Sequence, residues 1–240
     1  MSFRLQAGDR AFFNGLPKSG KSNLTAAFLQ GVQSFVVIDT KRHPGEWPAW
    51  AKKNGVLVTA DPAAISARQE AGKGKPKEGD PPTGQLLNKR LIFQISTQAI
   101  RDRAGWYKPG RPGHLWTQAL QNIRDRRRPT VVLFDEVLQS LPAHGSHPAG
   151  QELYEQGRAF GISCWAGTQL GNRMDTHVPR LAEHCFSMRI FHAKEEELLR
   201  DARGIDCSEL KTLEKFHFGY HTHGMDHWEV CPPVEKVFGV

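Results

Sequence analysis

Apolar residues in this chain gather into short runs set off by Gly, Pro and charged residues, and the runs are the length of strands. The strongest, residues 130–134 (TVVLF), ends in Asp135 and Glu136. Residues 34–39 (SFVVID) and 55–59 (GVLVT) are uninterrupted, the pattern of strands buried on both faces. Residues 11–14, 90–96 (RLIFQIS), 162–167 (ISCWAG) and 185–191 predict further strands. Between them the spacing becomes helical. Residues 21–30 (KSNLTAAFLQ) carry apolar Leu24, Ala27 and Phe28, and more helices are predicted at about 114–126 and 150–159. Strands alternating with helices predict an α/β domain built on a mainly parallel sheet, with ligands at the carboxyl ends of its strands.

The interruptions are placed within one domain spanning residues 1–240. Residues 64–89 are rich in Gly, Pro and charge and predict a mobile surface insertion. Residues 207–240 predict a small C-terminal β extension. No repeat of 20 to 50 residues is present.

Composition narrows the function classes. With 39% hydrophobic and 24% charged residues, disorder throughout is excluded. No apolar run approaches the ~18 residues of a membrane-spanning helix, and the N-terminus lacks the pattern of a secretory signal. Cys164, Cys185, Cys207 and Cys231 are scattered without C-x-x-C pairing, so reduced thiols and a cytosolic setting are expected. Charge is polarised: residues 1–130 carry a formal +13 and residues 131–240 carry −6. That asymmetry suits a polyanionic partner on one face, or copies meeting head to tail.

The segment Gly15-Leu-Pro-Lys-Ser-Gly20-Lys21-Ser22 matches G-x-x-x-x-G-K-[ST], between a predicted strand and a predicted helix. Glycines let successive backbone N–H groups curl inward and the helix N-terminus adds positive potential. Lys21 is then expected to reach the β and γ phosphates, and Ser22 to ligate Mg²⁺. Ser19 and Asn23 complete the expected phosphate surroundings, and Lys18 reads either as a second cation near the γ-phosphate or as a solvated side chain. The run VVLFDE places Asp135 at a strand end, where it can hold Mg²⁺ through water, and Glu136 beside it to activate the attacking water. Thr168 and Gln169 close the strand at residues 162–167, where Gln169 could sense the γ-phosphate.

In this order the features resemble the FtsK/HerA group of DNA-translocating ATPases over most of residues 9–205. The loop ending in GKS comes first, then VVIDTK, with Asp39 and Lys41 like the group's D-x-K, then VVLFDE. Last comes GRAFGISCWAGTQ, with Arg158, Gly161, Ile162, Thr168 and Gln169 falling in the group's pattern. The resemblance implies a RecA-like (ASCE) P-loop NTPase that hydrolyses ATP with Mg²⁺ in a homo-oligomeric ring, expected to be a hexamer. Arg158 would then reach into a neighbour's nucleotide site; it also reads as a cation complementing a helix C-terminus. Only about ten residues precede the first strand, fewer than the membrane segments or barrel of many relatives would need. This points to a bare motor like the A32-type genome-packaging ATPases of tailless, membrane-containing double-stranded DNA viruses. Double-stranded DNA, a capsid vertex or portal and viral membrane proteins are the implied partners, in the host cytoplasm or in the virion. A HerA-like DNA-processing helicase or conjugation ATPase, and a nucleotide-gated assembly protein with little turnover, are the alternatives.

Sequence-independent grip on DNA should come from Lys and Arg on loops. Arg101, Arg103, Lys108 and Arg111, with Trp106 and Tyr107, make residues 101–111 the first candidate; a solvated basic loop anchored by its aromatics is the other reading. Arg124, Arg126, Arg127 and Arg128 end a predicted helix, and the loops at 141–150 and 172–177 are further candidates. The spacing of His217, His221, His223 and His227 matches no closed zinc pattern, so no metal is expected there.

Overall fold

The computed structural model describes residues 5, 8–69, 85–126, 128–142, 145–169, 174 and 176–235. In chain order the elements are β1 (Ala11–Asn14), α1 (Lys21–Gln30), β2 (Phe35–Asp39), α2 (Trp47–Asn54), β3 (Leu57–Thr59), α3 (Ala63–Ser66) and β4 (Arg68–Gln69). Next come β5 (Gln85–Leu86), β6 (Arg90–Gln94), α4 (Thr97–Arg101), α5 (Pro112–Arg124), β7 (Thr130–Phe134), α6 (Val137–Ser140) and α7 (Pro148–Gln156). The chain closes with β8 (Ile162–Thr168), α8 (His177–Leu181), β9 (His184–Met188), α9 (Ala193–Arg203), β10 (Phe218–Thr222) and β11 (Glu229–Cys231).

Among the described residues, nine strands form one sheet in the order β11-β10-β9-β1-β8-β7-β2-β6-β3. From β9 to β3 all neighbours are parallel, whereas β10 and β11 add an antiparallel edge. β8 lies between β1 and β7, with Asn14 opposite Thr168 and Phe134 opposite Ala166. This register brings the ends of the three strands bearing the candidate motifs side by side.

Alternation along the central strands feeds two cores. In β7, Val132 and Phe134 join one cluster while Val131 and Leu133 join the other. The same split separates Val36 and Ile38 from Phe35 and Val37 in β2, as a period of two across a sheet covered on both faces requires. α5 buries Trp116, Ala119, Leu120 and Ile123 against the first cluster, an i, i+3, i+4, i+7 stripe. It starts two residues before its expected position because Pro112 is well suited to the first helical turn.

Two sequence expectations need correction, and two of the longer helices were not expected. β3 is an edge strand with no fully buried residue, and Leu57 is 40% exposed, so its apolar run does not mark burial on both faces. The stretch expected to be a mobile insertion has structured ends: β4 and β5 pair antiparallel, and Asn88 donates to the Ala64 carbonyl at 3.1 Å. Its residues 70–84 lie outside the described residues. α2 and α9 had no sequence expectation at all; α2 buries Trp47, Trp50 and Ala51 against the second core. Among the described residues no helix is long and apolar enough to cross a membrane.

Candidate functional site

The phosphate-loop segment connects β1 to α1, and the Gly15 N–H donates to the Thr168 carbonyl at 3.2 Å, tying the loop to β8. A Cβ on Gly15 would stand 2.6 Å from Ser19 Oγ and 2.7 Å from Met188 Cγ, so the turn closes only around glycine. Gly20, with φ 103°, enters α1 in the left-handed region, and Lys18 also has positive φ at 64°. No side chain caps α1, which leaves its first N–H groups to an external acceptor. Ser19 Oγ is buried without a hydrogen-bond partner. An orphaned hydroxyl beside uncapped N–H groups fits a phosphate chain. Ser22 is the second residue of α1, while the Asn23 side chain donates to the Glu235 carbonyl at 2.9 Å and so ties the helix start to the C-terminal segment.

Lys21 is 4% exposed; its Nζ donates to the Asp135 carbonyl at 3.4 Å and lies 4.0 Å from Asp135 Oδ1. Lys41 Nζ is 3.0 Å from the other carboxylate oxygen, Oδ2. Burial works to raise the Asp135 pKa, but Lys21 and Lys41 outweigh it and hold the carboxyl below its ordinary range. Burial lowers the Lys21 pKa, with Asp135 opposing, whereas Lys41 is raised because its pairing with Asp135 exceeds the burial penalty. Lys41 is aimed by Asp39, whose Oδ1 accepts the N–H groups of Lys41 and Arg42 and whose Oδ2 accepts from Gln94 at 2.9 Å.

Glu136 is 8% exposed and follows Asp135 beyond β7. Its Oε1 accepts the Thr168 hydroxyl at 3.1 Å and the Gln169 N–H at 3.5 Å, so the neighbouring strand fixes the carboxylate. Burial raises its pKa, and Lys21, Lys41 and the Thr168 hydrogen bond only partly offset this. Glu136, Gln169, Lys41 and Thr97 line an open cleft of about 390 Å³ at the carboxyl ends of the strands. Gly15, Ser19, Lys21, Asp135, Glu136, Thr168 and Gln169 therefore meet at one edge of the sheet.

Arg158 stands elsewhere. It lies in the 3₁₀ turn before β8, at the amino ends of the strands, 61% exposed, with Nη2 at 3.4 Å from Asp9 and 3.3 Å from Glu183. The structure does not bring it to the chain's own Lys21 and Glu136.

The basic loop divides. Trp106 leaves the list of DNA-facing candidates: it is buried, its indole N–H donates to the Ile100 carbonyl at 2.9 Å, and its ring packs 4.4 Å from that of His147. Tyr107 is 65% exposed and lies over the same histidine. Arg101 donates to Gln139, Arg111 pairs with Asp102 at 3.3 Å, the Arg103 guanidinium packs on Gly145, and Lys108 is exposed. In the second basic run Arg126 is fully buried and donates to the carbonyls of Asn88 and Lys89, so it cannot face DNA. Arg127 lies outside the described residues, as do residues 143–144, 172–173 and 175 of the other two candidate loops. Gln94 and Thr97 went unmarked in the sequence; their signal is polarity at the end of an apolar strand, weak when read alone.

No protein-family model and no curated protein matches the chain. Solved structures do. The genome packaging NTPase B204 from Sulfolobus turreted icosahedral virus 2, in complex with AMPPCP, superposes with a TM-score of 0.67 at 15% identity, covering 96% of this chain and 100% of that one. Its complex with ATP-gammaS gives 0.66 at 14% identity, over 94% and 97%. B204, the DNA-packaging ATPase from Sulfolobus Turreted Icosahedral Virus, gives 0.63 at 16% identity, over 95% and 98%. The likeness thus extends over the whole architecture: the chain has a RecA-like P-loop fold, a mainly parallel sheet flanked by helices, which it shares with these structures.

Proposed function

We propose that the chain hydrolyses ATP to move double-stranded DNA into a viral shell, working in the host cytoplasm as a homo-oligomeric ring, expected to be hexameric. The observation that carries the hydrolytic step is the buried Glu136 carboxylate, held on one oxygen by Thr168 and Gln169 beside the buried Lys21. Backbone N–H groups at the start of α1 and the Lys21 ammonium would hold the β and γ phosphates. The Glu136 Oε2 is left to face the attacking water, and the raised pKa brings this base closer to neutrality, where proton transfer is most effective. Gln169, on the wall of the same cleft, would register whether the γ-phosphate is present.

The donor set fits magnesium. Ser22 and Asp135 offer hard oxygens, and Mg²⁺ is usually held by one or two carboxylates plus substrate phosphates. When bound, the ion would neutralise charge on the transferring phosphoryl group. Lys41 and Lys21 keep Asp135 ionised for that role.

The DNA half of the proposal is supported by the fold shared with proteins described as genome-packaging NTPases, and by the exposed cations of residues 101–111. Glu136→Gln tests the whole reading in a DNA-stimulated ATPase assay. ATP binding should be kept, while turnover falls by roughly 100-fold or more. Undiminished turnover, or no response of the wild type to duplex DNA, would remove the motor reading.

A further inference from the structure

A hydrogen bond from the His217 N–H to the Glu214 carbonyl at 3.1 Å closes a four-residue turn with Lys215 and Phe216 at its centre. Phe216 has φ 68°. A positive φ at the third position is the type II geometry that favours glycine or asparagine, and a bulky side chain there is strained. Core packing does not explain the phenylalanine, which is 45% exposed. Nor is it remote from the nucleotide site: Phe216 Cδ1 stands 3.2 Å from the position a Cβ on Gly20 would occupy, beside the glycine that opens α1. Topology explains the approach. The turn leads into β10, which pairs antiparallel with β9, so Phe218 meets Met188 at the carboxyl end of β9, next to the phosphate loop. Lys215 brings its Nζ to 4.9 Å from the centre of the Phe216 ring, adding positive charge to the same patch.

We infer that Phe216 is the stacking platform for the base of the nucleotide whose phosphates sit on the Gly15–Ser22 loop. The inference rests on the nucleotide-binding half of the proposed function and adds the part of the ligand that the phosphate loop cannot read. Strain held at an exposed aromatic beside a ligand site is what such a role requires, because the ring must lie open for a base to cover it. A ring face carries no hydrogen-bond code, so the platform adds affinity for a nucleobase without choosing among bases.

Titration calorimetry with ATP, GTP and base-free tripolyphosphate, on wild type, Phe216→Gly and Phe216→Trp, tests this. Phe216→Gly should lose roughly 5- to 100-fold in affinity for ATP and GTP alike, the usual range for removing a base-stacking aromatic. Its tripolyphosphate affinity should be unchanged, and its melting temperature should be at or above that of wild type, because glycine relieves the turn. Phe216→Trp should restore ATP affinity, with indole fluorescence quenched by ATP and not by tripolyphosphate. Equal weakening toward ATP and tripolyphosphate would show that Phe216 only shapes the loop, and unchanged ATP affinity in Phe216→Gly would show that the base lies elsewhere; either overturns the inference. Wild type that binds neither ATP nor tripolyphosphate would instead remove the phosphate-loop reading on which it stands.

Discussion

His147 shows how one side chain can be locked in a single protonation state. The Thr117 hydroxyl donates to the Trp106 carbonyl at 2.6 Å, so the His147 Nε2–H must be the donor in its 2.9 Å contact with that hydroxyl. Nδ1 accepts the Ala149 N–H and caps α7. The ring is neutral, and burial pushes its pKa down to about 4. A histidine depressed on folding is protonated more readily in the unfolded chain, so its stabilising contribution is complete above the ordinary value of about 6.5 and is lost as pH falls from there toward 4. At about pH 5 the loss should be ~2 kcal/mol. Urea midpoints at neutral and acid pH will measure it: His147→Asn, which keeps a capping group, should be weaker at neutrality and show a flatter decline. The same residue decides between the two readings of Trp106: its ring is the wall against which His147 packs, an anchor and not an aromatic facing DNA.

At the scale of elements, β1, the glycine loop and α1 form a unit whose requirements are local. Gly15→Ala places a Cβ within 3 Å of Ser19 and Met188, so the loop must open. A shift of about 1 Å should cost on the order of 100-fold in turnover, readable in a steady-state ATPase assay. Local requirements are also what made this unit legible in the sequence, as were Asp135 and Glu136 at the end of β7. α9 had local signals too: acidic Glu195 and Glu196 in its first turn, Arg200 and Arg203 in its last and Gly204 at its end, although its single buried apolar residue, Leu199, gives no periodic stripe. β3 was misread for the opposite reason, because being last in the sheet is a property of the neighbours and not of the run GVLVT. Lys41 carried no chemical role until the fold set its ammonium against Asp135, a contact between residues 94 positions apart.

For the whole molecule the decisive feature is the separation of Arg158 from the cleft. β8 runs between them, and its seven residues span roughly 20 Å. Two variants, each inactive alone, test whether the arginine serves another copy: Arg158→Ala keeps a whole cleft and Glu136→Gln keeps a whole arginine. Mixed in equal amounts, they should regain up to about a quarter of wild-type turnover if sites form between random neighbours. No recovery in complexes shown to contain both variants would confine Arg158 to its pairing with Asp9 and Glu183. If Arg158 serves the cleft of another copy, contacts that join one end of β8 to the opposite end of the next copy run head to tail and are not self-complementary. An unclosed row of copies then carries one idle arginine at its first member and one unfinished cleft at its last. Specific turnover should climb with protein concentration and level off once the row shuts into a circle, so the number of copies would be written in the kinetics before any particle is imaged.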